Sequence, residues 1–217
     1  MKSWVRTILA VVLPAVMLGG GAHAEEMAAP VGTFVYQIHH QDRGDIGTLT
    51  IVSTHQNAER VYDQTLRIAV KAMFVTVYRQ ESDRKEVWRG DRMISYDANT
   101  NDDGKKSTIK GRAEGDKFVI DGPAGHISAP ASVYPSNPFD PGIIHATLLM
   151  DTASGKLLHV KIAPGGQETI TAGGGPVKAE RYAVTGDMQR DLWFDSTGKL
   201  LKFSLKNDGA LVTFTLK

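Results

Sequence analysis

The amino-acid sequence predicts an all-β fold, an antiparallel meander of about a dozen strands curled into a barrel or half-barrel. Three observations predict it. Apolar side chains recur with period two, as in Phe34, Tyr36 and Ile38. Turn-forming clusters of Gly, Asn and Asp interrupt these runs every 8–12 residues or so. The connections are mostly of hairpin length, which joins neighbouring strands antiparallel. A sheet this wide, if flat, would expose an edge and a whole apolar face, and curling removes both problems. A barrel of about eight strands is just filled by its own side chains, whereas more strands leave room for a ligand.

The chain of 217 residues opens with a segment outside this pattern. Lys2 and Arg6 precede an apolar run over 8–18, then three glycines, then Ala22-His23-Ala24. That order is a secretory signal peptide, with cleavage expected after Ala24. The apolar run falls short of the roughly 20 residues that a spanning helix needs, so no transmembrane segment is expected after cleavage. Residues 25–217 form one β-rich domain, expected in the periplasm. The processed chain carries 23 basic against 24 acidic residues and no Cys. This balance argues against a nucleic-acid surface, and the lack of Cys excludes disulfides and thiolate-bound metal.

The strands follow in order. Alternating or β-branched runs occupy 33–39, 48–54, 61–72, 74–88 and 93–99. Shorter runs occupy 108–112, 118–121 and 126–129. After a break, further runs cover 157–162, 168–172, 177–185, 189–194, 200–206 and 210–216. Gly165-Gly166 reads as a turn between two of them. The break itself, 130–142, holds Pro130, Pro135, Pro138 and Pro141 and cannot be a central strand. Asp140-Pro141 has the form of a helix N-cap followed by proline at N1. A helical stripe of Ile143, Ile144, Thr147 and Leu148 then predicts one short helix near 141–150, covering an open face of the sheet.

Motifs for chemistry are sparse. The six histidines after the leader, His39, His40, His55, His126, His145 and His159, show no metal-ligand spacing, and no metal or cofactor is expected. Residues 99–104 resemble the start of a calcium loop, but the twelfth position falls on Lys110, which cannot supply the bidentate carboxylate. Those residues are therefore read as a polar hairpin turn. No nucleophile elbow or phosphate loop is present, which leaves only a hydrolase whose triad assembles from distant positions.

Two matching units carry the site prediction. Glu86 and Trp88 lie two residues apart before a turn, as do Asp191 and Trp193. On a strand, that spacing puts each acid and its Trp on one face. With Tyr96 and Phe203 nearby, these six residues are the candidate lining of a cavity for an apolar ligand.

The same stretches carry a family likeness. Residues 100–105, 86–89, 148–158 with Asp151-Thr152 and Gly155, and 185–195 with Asp191-Leu192-Trp193 together resemble an uncharacterised family of exported bacterial proteins, domain-of-unknown-function family 6134. The resemblance implies a periplasmic, β-rich single domain and brings no activity or site residue with it. The leading expectation is thus a periplasmic carrier of an apolar small molecule or lipid. The alternative is an envelope interaction or assembly module without a small ligand, working through an edge strand or the proline segment.

Overall fold

The computed structural model describes residues 30–207 and 209–217. The expected signal peptide, 1–24, lies outside the described residues. Fifteen strands form one antiparallel curled sheet. They are β1 (Gly32–His40), β2 (Gly44–Gln56), β3 (Glu59–Ala72), β4 (Val75–Arg89), β5 (Arg92–Asp102), β6 (Lys105–Glu114), β7 (Lys117–Gly122) and β8 (Gly125–Pro130). Then come β9 (Tyr134–Pro135), β10 (Leu148–Met150), β11 (Leu157–Ala172), β12 (Gly175–Gly186), β13 (Arg190–Phe194), β14 (Leu200–Asn207) and β15 (Ala210–Leu216).

The spatial order is β8 back to β1, then β15 back to β9. First and last strands therefore pair at the centre, with Tyr36 opposite Leu216 and Ile38 opposite Phe214. Every other junction is a sequential hairpin, apart from the short parallel pair of β9 and β10. The end strands β8 and β9 are sequence neighbours, and loops close the curl where no ladder does. The Ala124 N–H donates to the Ser154 carbonyl at 2.9 Å, tying the β7–β8 turn to the β10–β11 turn. The result is a barrel-like open sheet, as the alternation predicted.

Turn chemistry holds at the Asp-Gly step. In the β5–β6 turn Asp103 and Gly104 both have positive φ, 49° and 90°, and the Gly104 N–H donates to Asn101 Oδ1. The calcium-like segment is thus a tight hairpin, as expected from its Asp-Gly step.

Two elements differ from the sequence reading. Residues 157–172 are one strand, not two, because Gly165-Gly166 forms a bulge within the β11–β12 ladder. A bulge absorbs an extra residue without ending the pairing. The predicted helix near 141–150 is a single 3-10 turn, Pro141–His145, followed by strand β10. The N-cap reading was right, since Asp140 accepts from the Gly142 N–H at 3.0 Å and Pro141 begins the turn. The helix does not continue, because Leu148–Met150 finds ladder partners on β11 and β9.

The main core lies inside the curl and runs through nearly every strand. A second, smaller cluster of Ala172, Ala179, Trp193 and Leu201 sits apart. Leu192 and Phe194 belong to the interior core, so Trp193 between them points outward. The β11–β12 hairpin tip covers this outer cluster, with the Gly173 N–H donating to the Leu216 carbonyl at 2.8 Å.

Candidate functional site inside the curled sheet

The interior is occupied by the chain's own proline-rich segment. Residues 135–141, the sequence Pro-Ser-Asn-Pro-Phe-Asp-Pro, are buried without a break. An irregular segment is seldom buried, since its backbone polar groups lack ladder partners. Three of these seven residues are prolines and bring no N–H donor. Much of the remaining demand is met specifically. The Ser136 N–H donates to the Met150 carbonyl at 2.8 Å, Arg190 Nη1 donates to the Ser136 carbonyl, and Asp140 caps the 3-10 turn. The prolines that rule out a strand are what make this segment cheap to bury.

Its side chains fill the space. Phe139 packs against Tyr36 with ring centroids 5.9 Å apart and edge-on to Phe203 at 6.5 Å. Tyr134 tilts against Trp88 at 4.9 Å. A partly open cavity between Phe34, Tyr36, Ser53, Tyr62 and Phe139 measures about 10 Å³. That is the room of one water molecule, far below the 300 Å³ or more of a ligand pocket.

Two polar clusters fasten the segment. In the first, Glu86 Oε1 accepts from Gln64 Nε2 at 2.6 Å and from Asn137 Nδ2, while Oε2 accepts from Trp88 Nε1 at 3.2 Å. Asn137 Nδ2 also donates to Gln64 Oε1 at 2.9 Å. In the second, Arg60 Nη2 and the Tyr62 hydroxyl donate to Asp140 Oδ2 at 2.8 and 3.2 Å. Arg60, Tyr62 and Gln64 alternate along β3, so one strand face presents all three to the segment.

Burial pushes the Glu86 carboxyl up to about 7, against the pull of its three hydrogen-bond donors, and the Asp140 charge adds to the rise. Burial works to lower Arg60, but the neighbouring Asp140 and Tyr62 raise it overall. Burial lowers the Arg190 guanidinium to about 10, which the Asp151 charge partly offsets. The arrangement holds charge at the seam between barrel and segment. His39, His55, His126, His145 and His159 stand exposed on the surface and His40 is half-buried, apart from both clusters. Among the described residues no group of three or more His, Cys, Asp or Glu could hold a metal ion.

The six predicted lining residues divide. Glu86, Trp88, Tyr96 and Phe203 do reach the interior, where they pack as core and not around a void. Asp191 and Trp193 share a face as expected, but it is the outer one. There Trp193 Nε1 donates to Glu168 Oε1, and Asp191 pairs with Arg181 at 2.8 Å. The two acid–Trp units are therefore alike in sequence and on opposite faces of the sheet. Asp191 also borders a surface concavity of about 260 Å³ with Arg190, Ser204 and Lys206. The residues that sequence reasoning missed are Arg60, Tyr62, Gln64, Asn137 and Asp140. Their one visible signal is the Arg-x-Tyr-x-Gln alternation, which puts polar groups on a face that continues as core at Leu66.

A family model describing DUF6134, a domain of unknown function, matches residues 36–217. The chain belongs to that family. No curated protein matches the chain. Among solved structures, the chain is similar to the crystal structure of a β-barrel-like protein of domain-of-unknown-function family DUF1849 from Brucella abortus. The TM-score is 0.62 at 10% identity, covering 88% of this chain and 98% of that one. At this identity the likeness concerns the fold, and it agrees with the β-barrel-like, curled sheet of this DUF6134 member.

Proposed function

We propose that this DUF6134 protein is an exported, periplasmic envelope module that works through its outer surface. The observation that carries this reading is the filled interior: residues 135–141 take the place that an apolar ligand would need. The leader sequence 1–24 supports export. With the proline segment inside, the surface left for a partner is an edge. Over 161–171, β11 pairs with β12 alone, which makes it the longest stretch paired on one side only. An extended peptide can add to such an edge through main-chain hydrogen bonds.

The competing reading is the carrier of an apolar small molecule or lipid. It is favoured by the fastening, which is polar and non-covalent, so that withdrawal of the segment would empty the curl. Native mass spectrometry of protein purified without detergent, with hydrogen exchange before and after adding a fluorescent lipid, separates the two. The expected result is the polypeptide mass alone, with amides of 136–140 protected and unchanged by lipid. A stoichiometric apolar adduct, or loss of that protection on lipid addition, would overturn the surface reading in favour of the carrier.

A further inference from the structure

Seven large apolar side chains stand exposed among the described residues, and four of them fall in one hairpin. Met73 and Phe74 at the β3–β4 turn are 96% and 101% exposed, and Val75 and Val77 follow at 66% and 50%. Residues 71–77 are exposed without interruption. The hairpin outruns its neighbours here. The β2 ladder with β3 stops at Ile68, and the β5 ladder with β4 stops at Gln80. Beyond those points the ribbon has two strands. Tyr78 and Arg79 anchor its base to the β5–β6 turn through Asp102 and the Asp103 N–H.

The turn residues are unusual for the molecule. The β2–β3 turn uses Asn57 and Ala58, the β5–β6 turn Asp103 and Gly104, and the β11–β12 turn Gly173 and Gly174 at positive φ. In the β3–β4 turn Met73 takes that place, with φ 55°. A left-handed conformation is normally left to Gly, Asn or Asp, so this turn carries a backbone cost while presenting a thioether and a phenyl ring to solvent. The charge is one-sided as well. Residues 66–80 contain Arg67, Lys71 and Arg79 and no acid. Arg67 is engaged by Asp83, whereas Lys71 and Arg79 are exposed and form no ion pair among the described residues. The nearest acids, Asp102 and Asp103, adjoin the base of the ribbon at Tyr78 and Arg79 and not its tip.

We propose that the β3–β4 hairpin tip is a membrane finger: Met73, Phe74 and Val75 enter the interfacial zone of an anionic bilayer while Lys71 and Arg79 meet its headgroups. The proposal rests on the reading that this protein acts through its surface. The finger's reach fits. From Lys71 to Met73 is two residues, roughly 7 Å at 3.3 Å per residue, which falls within the depth to which interfacial apolar groups sink. A narrow ribbon bearing an apolar point and a basic collar suits a headgroup layer better than a flat protein surface.

The test places a reporter in the finger of the processed protein, residues 25–217, which lacks the leader and its Trp4. Phe74→Trp is mixed with vesicles of phosphatidylcholine alone or of equimolar phosphatidylcholine and phosphatidylglycerol. Trp88 and Trp193 are both less than a tenth exposed, so the difference from wild type reads the introduced indole. The expected result is a blue-shifted emission with phosphatidylglycerol, quenched by brominated acyl chains. Adding Lys71→Glu and Arg79→Glu should weaken partitioning about tenfold or more, since each basic group near such a surface counts roughly fivefold. Adding Met73→Ser and Val75→Asp should abolish the shift with an unchanged circular dichroism spectrum. An indole that stays at solvent emission, or a shift indifferent to phosphatidylglycerol and to the charge reversals, overturns the proposal. The first of those outcomes would point to a protein partner instead. Neither bears on the interior test above, which reads the mass of the protein and the protection of 136–140.

Discussion

The buried Glu86 makes a quantitative prediction about pH. Its carboxyl is held at about 7 in the folded protein, against an ordinary value of 4.5. Below pH 4.5 the folded and unfolded chains both carry the proton, and the site costs nothing. As pH rises past 4.5 the unfolded chain releases the proton, while the native site keeps it until about 7. Stability therefore falls through that window and stays at the lower level above it. Each tenfold difference in proton affinity is worth about 1.4 kcal/mol, so the full loss is about 3 kcal/mol, most of it between pH 5 and 8. Glu86→Gln removes the ionisation and mimics the protonated acid. It keeps an acceptor for Gln64 and Asn137 but turns an amide N–H toward the Trp88 N–H, a mismatch that a protonated carboxyl avoids because its hydroxyl oxygen still accepts; that cost is the same at every pH. Denaturant unfolding followed by tryptophan emission should show the stability difference between variant and wild type moving by about 2 kcal/mol in the variant's favour from pH 5 to pH 8. Other titrating groups cancel in the difference. Parallel curves for the two proteins from pH 5 to 8 would mean that Glu86 is not the buried, proton-retaining group described here.

Three further substitutions probe the packing of the interior, two of them in the proline segment. Phe139→Ala removes the ring between Tyr36 and Phe203 and should cost about 3–5 kcal/mol in chemical unfolding. Asp140→Ala strips Arg60 of its partner and opens the 3-10 cap. The Arg60 side chain keeps 24% exposure, so the cost should fall at about 2–3 kcal/mol, and hydrogen exchange should quicken first in 136–146. Gly111→Ala would set a methyl 2.4 Å from the Phe118 ring and 3.2 Å from Tyr96 Cβ, and should lower the denaturation midpoint by the equivalent of about 1–3 kcal/mol.

Most strands were legible because period-two alternation is local. Phe34, Tyr36 and Ile38 on β1, or Leu192 and Phe194 on β13, announce a buried face whatever their partners are. Turns were legible for the same reason, since Asp103-Gly104 supplies positive φ by its own chemistry. The short helix failed because its stripe, from Ile143 to Leu148, competes with a ladder from β11 that only the folded chain supplies. The six site residues divide in a more instructive way. Spacing correctly put Glu86 with Trp88 and Asp191 with Trp193, but spacing within a strand does not say which face turns inward.

What the sequence determined by itself is therefore the local part: an all-β chain, its hairpins and the Asp140-Pro141 cap. Tertiary structure alone decided that β1 pairs with β15, that the two acid–Trp units fall on opposite faces, and that 135–141 lies inside. The physical reason is separation along the chain. Gln64, Glu86 and Asn137 meet across gaps of 22 and 51 residues, so their contacts follow from the curl of the whole sheet and leave no trace in the periodicity of any one strand.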